Sequence, residues 1–189
     1  MTNKQIISKA RKWFSNNKWK PFNFQIEAWE AYLSGQNGLV NAPTGSGKTY
    51  SLMLPILLEF LQKTKPENPT AKNNGLQAIW ITPIRALAKE IKLSGDRAAQ
   101  ALGLNWNIAI RSGDTKSSER TKQKKKPPEI IITTPESLHL LLASNEYSLF
   151  FKDLKSIVID EWHELIGTKR GVQIELALSR LRAKCPGLK

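Results

Sequence analysis

The run Ala42-Pro43-Thr44-Gly45-Ser46-Gly47-Lys48-Thr49 places two glycines, an amine and a hydroxyl just before an apolar helical stretch. That composition suits a phosphate-binding loop. Glycines at 45 and 47 let backbone N–H groups turn inward, the helix start adds its dipole, and Lys48 reaches the β- and γ-phosphates. Thr44, Gly45, Ser46, Gly47, Lys48 and Thr49 are therefore candidate nucleotide-binding residues, with the Thr49 hydroxyl also a ligand for Mg2+. Ala42 departs from the general pattern, which has glycine there. A second group must hold the ion and poise water, and Ile157-Val158-Ile159-Asp160-Glu161-Trp162-His163 offers it at the end of a short apolar run. Asp160 would take the ion directly or through its waters, and Glu161 would orient or deprotonate the attacking water. Taken alone, the same acidic pair could cap a following helix.

The elements that must position these residues follow from periodicity. Short apolar runs near 38–41, 77–82, 106–110, 130–133 and 156–159 suit buried strands, with longer segments of helical period between them. Helices are expected after Thr2, over Gln25 to Leu33, and after Gly47, Pro83, Pro135 and Gly171. Strand, loop, helix and strand in alternation imply a mostly parallel α/β sheet with helices on both faces. Such sheets bind ligands at the carboxyl ends of their strands, where both candidate motifs lie. Two stretches, Thr64 to Gly75 and the lysine-rich run from Lys116 to Lys126, are expected to be surface loops.

The chain has 189 residues, enough for one ordinary domain and too few for two large ones. Its 29 Lys+Arg against 16 Asp+Glu give a formal charge of +13, which favours polyanions and, among them, nucleic acid. The run Lys116 to Lys126 contributes to this excess, either as a solvated surface or as a nucleic-acid contact. No apolar stretch approaches the roughly 20 residues of a membrane span, and the N-terminus lacks the core of a secretory signal. One cysteine, Cys185, permits no internal disulfide, so a cytoplasmic location is expected. His139 and His163 have no zinc-ligand spacing. The tryptophans are expected to pack rather than stack on bases.

Ala42 to Thr49 together with Asp160-Glu161-Trp162-His163 resemble motifs I and II of superfamily 2 helicases of the DExH type. Four shorter pieces agree. Gln25, in Pro-Phe-Asn-Phe-Gln, resembles the glutamine that reads adenine, with Phe22 or Phe24 near the base; Thr82-Pro83-Ile84-Arg85 resembles motif Ia. Ser112-Gly113-Asp114 resembles the small glycine motif, and Thr133-Thr134-Pro135-Glu136-Ser137 resembles motif Ib. The resemblance implies a RecA-like P-loop NTPase domain from 36 to 189, preceded by a helical segment, 1–35, that carries the glutamine. It implies ATP and Mg2+ as cofactors, and nucleic-acid backbone contacts at Pro83, Arg85, Gly113, Thr134, Pro135 and Glu136. It makes Asp160, Glu161 and Lys48 catalytic and has His163 couple the two motor domains.

The tetrad at 160–163 and the following Glu164 to Gly171 look most like the large helicase-related (Lhr) group, in the bacterial form associated with a DNA ligase and a nuclease. Members of that group are DNA repair helicases that move 3′ to 5′ on single strands, so single-stranded or tailed DNA is the implied partner. The family pattern goes on to motif III and a second RecA-like domain with an arginine finger, whereas this chain stops at Lys189. A fragment that turns over ATP barely above background is therefore expected, with a sheet edge left exposed. The alternatives are an RNA helicase and a non-catalytic, nucleotide-switched nucleic-acid-binding module.

Overall fold

The computed structural model describes residues 1–43, 45–63, 74–144 and 147–189. Within them the chain forms α1 (Asn3–Asn16), α2 (Asn23–Leu33), α3 (Lys48–Lys63), β1 (Ala78–Ile81), α4 (Arg85–Ala101), β2 (Ile108–Arg111) and α5 (Ser117–Lys125). It continues through β3 (Ile130–Thr133), α6 (Pro135–Leu142), α7 (Tyr147–Phe150), β4 (Ser156–Ile159), a 3-10 turn at Trp162–Glu164, and α8 (Lys169–Lys184). Two compact units result. One is Met1–Ala71, Ser94–Asn105 and Lys189; the other is Lys72–Leu93 and Trp106–Leu188. No helix among the described residues is long and apolar enough to cross a membrane.

In the first unit, Thr2 caps α1 in a reciprocal box. The Gln5 N–H donates to Thr2 Oγ1 at 3.3 Å and the Thr2 N–H to Gln5 Oε1 at 2.9 Å. Ile6, Ile7, Ala10, Trp13 and Phe14 recur at helical spacing and are buried. Their aromatic end is a cluster of edge-to-face rings: Trp13 meets Tyr50 at 5.1 Å and Phe14 meets Trp29 at 5.5 Å. Trp29 Nε1 also donates to the Tyr50 carbonyl at 3.0 Å, so α2 is tied to the first turn of α3. Glu59 of α3 accepts hydrogen bonds from Tyr32 Oη (2.9 Å), Lys63 Nζ (2.6 Å) and Lys189 Nζ (2.8 Å). Burial pushes this carboxyl up, but those three donors outweigh it and leave it below the usual glutamate range.

The second unit is built on a parallel four-stranded sheet of order β2-β3-β1-β4. Trp80 aligns with Ile132 on one side and Val158 on the other, which brings the carboxyl ends of β1, β3 and β4 level. Strand alternation sends Ile79, Ile81 and Ile131 to one face, where they pack with Leu138, Leu141 and Leu142 of α6, Phe151, and Ile174 and Leu181 of α8. Ile157 and Ile159 of β4, an edge strand of the described sheet, are only partly buried against that core.

The strands expected near 77–82, 106–110, 130–133 and 156–159 are all present, two of them to the residue. The one expected at 38–41 is not: Leu39 is 81% exposed and the segment carries no strand pairing. Only Leu39 and Val40 are apolar there, between Gly38 and Asn41, so little side chain is available for burial. A second correction concerns the lysine-rich run, which is helical (α5) rather than a loop. The loop expected over Thr64 to Gly75 lies outside the described residues up to position 73.

Candidate nucleotide and nucleic-acid sites

The P-loop belongs to the first unit. Gly45 and Gly47 both adopt left-handed backbone, φ +80° and +81°, which bends the chain into the start of α3 at Lys48. The Ser46 N–H and Oγ both donate to the Pro43 carbonyl, at 3.3 and 2.6 Å, and lock the loop's entry. Lys48 and Thr49 occupy the first turn of α3 and are half-buried. Thr44 lies outside the described residues.

Gln25, 2% exposed, is the third residue of α2 and is fixed at both ends of its amide. Its Oε1 accepts the Phe22 N–H at 2.9 Å, and its Nε2 donates to the Gly47 carbonyl at 3.0 Å. The glutamine and the phosphate loop are thus brought together, and a Cβ on Gly47 would come within 2.9 Å of that Nε2. Phe22 and Phe24 stack at 5.8 Å, with Phe22 exposed.

The acidic pair belongs to the second unit, at the end of β4. The Asp160 N–H donates to the Ile81 carbonyl at 2.8 Å, which carries the sheet register one residue further and fixes the carboxylate at the strand end. Asp160 Oδ1 accepts the Glu161 N–H at 3.1 Å, and Oδ2 lies 3.4 Å from Trp80 Nε1. Trp80 therefore does more than pack: its indole N–H orients the carboxylate on the neighbouring strand. Glu161 itself is left-handed, φ +48° and ψ +47°, a costly conformation for a residue with a Cβ and one that concentrates at functional positions. His163 is exposed, with Nδ1 3.5 Å from Glu161 Oε2 and Nε2 3.4 Å from Glu164 Oε1. No cluster of three or more His, Cys, Asp or Glu side chains suited to a metal occurs among the described residues.

The remaining sequence-derived positions converge at the carboxyl ends of β1, β2 and β3. Arg85 opens α4 and reaches Asp114 beside Gly113, with Nη1 3.1 Å from Oδ2; both side chains are largely exposed, so solvent weakens the pair. Thr134 caps α6 through its Oγ1, which accepts the Ser137 N–H at 3.4 Å; Thr134 and Pro135 are buried. Glu136 is exposed and pairs with Arg170 of α8, Nε to Oε1 at 2.7 Å. Burial raises the Glu136 carboxyl, but its own backbone N–H at the helix start, Arg170 and Thr134 bring it below its ordinary range. Arg170 Nη2 also donates to the Pro83 carbonyl at 3.0 Å. One guanidinium thus ties the Pro83 turn to the start of α6.

Sequence reasoning gave Arg170 no site role. The signal was its place near the start of α8, just past the Thr168 cap, where the helix dipole disfavours a cation unless another group holds it. Gly171 beside it has no room for a Cβ, which would collide with the Leu165 carbonyl.

Comparison with known proteins finds helicases similar to most of the chain. The chain is 33% identical over 185 residues to the Lhr helicase/uracil glycosylase of Escherichia coli, covering 92% of this chain and 12% of that protein. It is 38% identical over 157 residues to the ATP-dependent helicase Lhr-Core of Methanothermobacter thermautotrophicus, covering 78% of this chain and 18% of that one. The solved structure of Mycobacterium smegmatis helicase Lhr, bound to ssDNA and AMP-PNP, superimposes with a TM-score of 0.75 at 34% identity, covering 94% of this chain and 23% of that one. The chain thus spans between about an eighth and a quarter of these relatives, and its α/β sheet is that of a RecA-like helicase domain. With the DEAD/DEAH box helicase model matching residues 22–188, the chain belongs to the DEAD/DEAH box helicase family.

Proposed function

We propose that this chain is the first motor unit of an ATP-dependent, Lhr-type DNA helicase that moves 3′ to 5′ in DNA repair, working with a second RecA-like domain. The observation that carries the reading is the phosphate loop: two left-handed glycines hand the chain directly to Lys48 and Thr49 in the first turn of α3. Inward N–H groups, the helix dipole and the Lys48 amine together bind the anionic phosphates of ATP. Gln25 couples adenine recognition to that loop, because its Nε2 already holds the Gly47 carbonyl.

The donor set fits Mg2+, a hard ion that favours oxygen. In the second unit the Asp160 carboxylate, oriented by the Glu161 N–H and Trp80 Nε1, would be a ligand for it, and in the first unit the Thr49 hydroxyl has the same oxygen chemistry. When bound, the ion neutralises charge building on the phosphate oxygens. Glu161 orients the attacking water and takes its proton, and His163, beside the Glu161 carboxylate, passes the state of the site to the second domain. Arg85, Gly113 and Glu136 form the exposed part of the backbone-contact surface, and the buried Pro83, Thr134 and Pro135 shape the turns beneath them; such a surface positions a strand without reading its bases. The single buried cysteine fits a reducing cytoplasm, and a DNA ligase and a nuclease are the proposed partner proteins.

The test has two parts. ATP binding to this chain should be lost in Lys48→Ala. ATPase of the longest natural form, measured alone, with single-stranded DNA and with single-stranded RNA, should rise with DNA. Stimulation by RNA alone would move the activity to RNA remodelling, and no response to either polymer would leave only a nucleotide-switched binding module.

A further inference from the structure

The helix α5, Ser117 to Lys125, contains no apolar side chain, so hydrophobic burial does not hold it in place. Two residues hold it instead. Arg120 donates to three carbonyls of the preceding turn, Thr115 (2.8 Å), Ser112 (3.0 Å) and Gly113 (2.7 Å). Gln123 is buried, donates from Nε2 to the Ile110 carbonyl at 3.1 Å and lies 3.4 Å from Arg111 Nη1 through its Oε1. Arg120 and Gln123 are three residues apart and share the inner face, which turns Lys122, Lys124 and Lys125, followed by Lys126, to the exterior.

All four lysines are exposed, and among the described residues no carboxylate lies within ion-pair distance of any of them. Lys122 and Lys125 are like charges at helical-neighbour spacing, which costs rather than contributes stability. Lys124 and Lys125 also share with Lys152 the rim of a cavity of about 240 Å³, whose lining has one carboxylate, Asp153. An outward surface that lowers the stability of its own helix is explained by a partner that supplies the missing negative charge.

We propose that Lys122, Lys124, Lys125 and Lys126, extended by Lys152, form a second phosphate-binding surface that takes the duplex segment of a tailed nucleic acid. The proposal rests on the nucleic-acid reading above and adds to it a site outside the strand-end contacts. Arg120 fixes α5 to the same turn that carries Gly113 and Asp114. From the carboxyl end of β2 the helix runs back toward the start of β3, and at 1.5 Å per residue Lys122 and Lys126 lie roughly 9 and 15 Å beyond Lys116. That path leads away from the strand-end contacts, because β2 and β3 are parallel. One strand of a duplex carries a phosphate per about 3.4 Å of axis, so the roughly 6 Å from Lys122 to Lys126 faces about two phosphates. Lysine suits this task, being a point charge that binds phosphate without selecting a base.

The test is the salt dependence of binding, read by fluorescence anisotropy between about 50 and 200 mM salt. The ligands are a labelled DNA strand of about 12 nucleotides and the same strand extended by a duplex of roughly 16 base pairs. Two variants of the four positions are compared with the parent chain, all Lys→Gln and all Lys→Arg. Each lost duplex phosphate contact removes about 0.9 from the slope of log K against log salt. In the Gln variant the tailed-substrate slope should therefore fall by about two or more, the single-strand slope should stay, and the Arg variant should restore the parent value. An unchanged tailed-substrate slope, or an equal fall on both ligands, overturns this proposal while single-strand binding still supports the proposed function. If the parent binds neither ligand, both readings fall.

Discussion

Gly47→Ala is the perturbation whose outcome follows most directly from the geometry. Gly47 has φ +81°, and placing an L side chain in the left-handed region costs roughly 1–2 kcal/mol. The new Cβ would also stand 2.9 Å from Gln25 Nε2, a side chain that is buried and cannot swing away without giving up its bonds to the Phe22 N–H and the Gly47 carbonyl. Each such bond contributes about 0.5–1.5 kcal/mol, so the whole change should cost roughly 2–5 kcal/mol and abolish ATP binding. The two causes can be separated. In Gln25→Ala/Gly47→Ala the steric part disappears while the backbone part stays, so the double variant should be more stable than the sum of the single losses by about 1 kcal/mol or more. Urea unfolding of the parent and three variants, with ATP titrations by calorimetry, gives all the quantities. Additivity within about 0.5 kcal/mol would refute the claim that Gln25 and the loop are mechanically joined.

Arg170→Ala should cost only about 1 kcal/mol or less of stability, because its pair with Glu136 is half-exposed. Single-strand affinity should nevertheless fall roughly tenfold as the Pro83 turn and the start of α6 lose their common anchor, with Arg170→Lys restoring little, since one amine cannot replace the fork. Unchanged affinity would remove Arg170 from the site. Glu59 has a lowered folded pKa, so its contribution is present above the ordinary glutamate value of about 4.3 and is lost as pH falls through the lowered one. Between neutral pH and about pH 3 the parent should therefore lose more stability than Glu59→Gln, and parallel urea-midpoint profiles would sink that account. In the longest natural form, Glu161→Gln should lower DNA-stimulated ATPase by about 10²–10⁴ while sparing ATP binding; retained turnover would assign the water-activating role elsewhere.

The parts of the fold that were legible are those whose signal is local. Ile130 to Ile132 and Ile157 to Ile159 are short continuous apolar runs, and they became β3 and β4 at the expected bounds. Gly45 and Gly47 announced a left-handed loop because few other residues tolerate that backbone. The lysine run misled for the converse reason. Its helix has no apolar period, and it is held by Arg120 and Gln123 reaching carbonyls of the preceding turn and strand. At 38–41 an apolar dipeptide suggested a strand that has no pairing partner among the described residues.

The sequence by itself determined the chemistry available to this protein: which carboxylates, amines and hydroxyls stand at the ends of which elements, because backbone preference and periodicity are set by near neighbours. Tertiary structure alone decided what orients those groups. Trp80 and Asp160 are 80 residues apart, and Arg170 is 87 residues from Pro83 and 34 from Glu136. Each contact exists only because a parallel sheet levels the strand ends that carry these residues, and that register comes from many side chains packing at once.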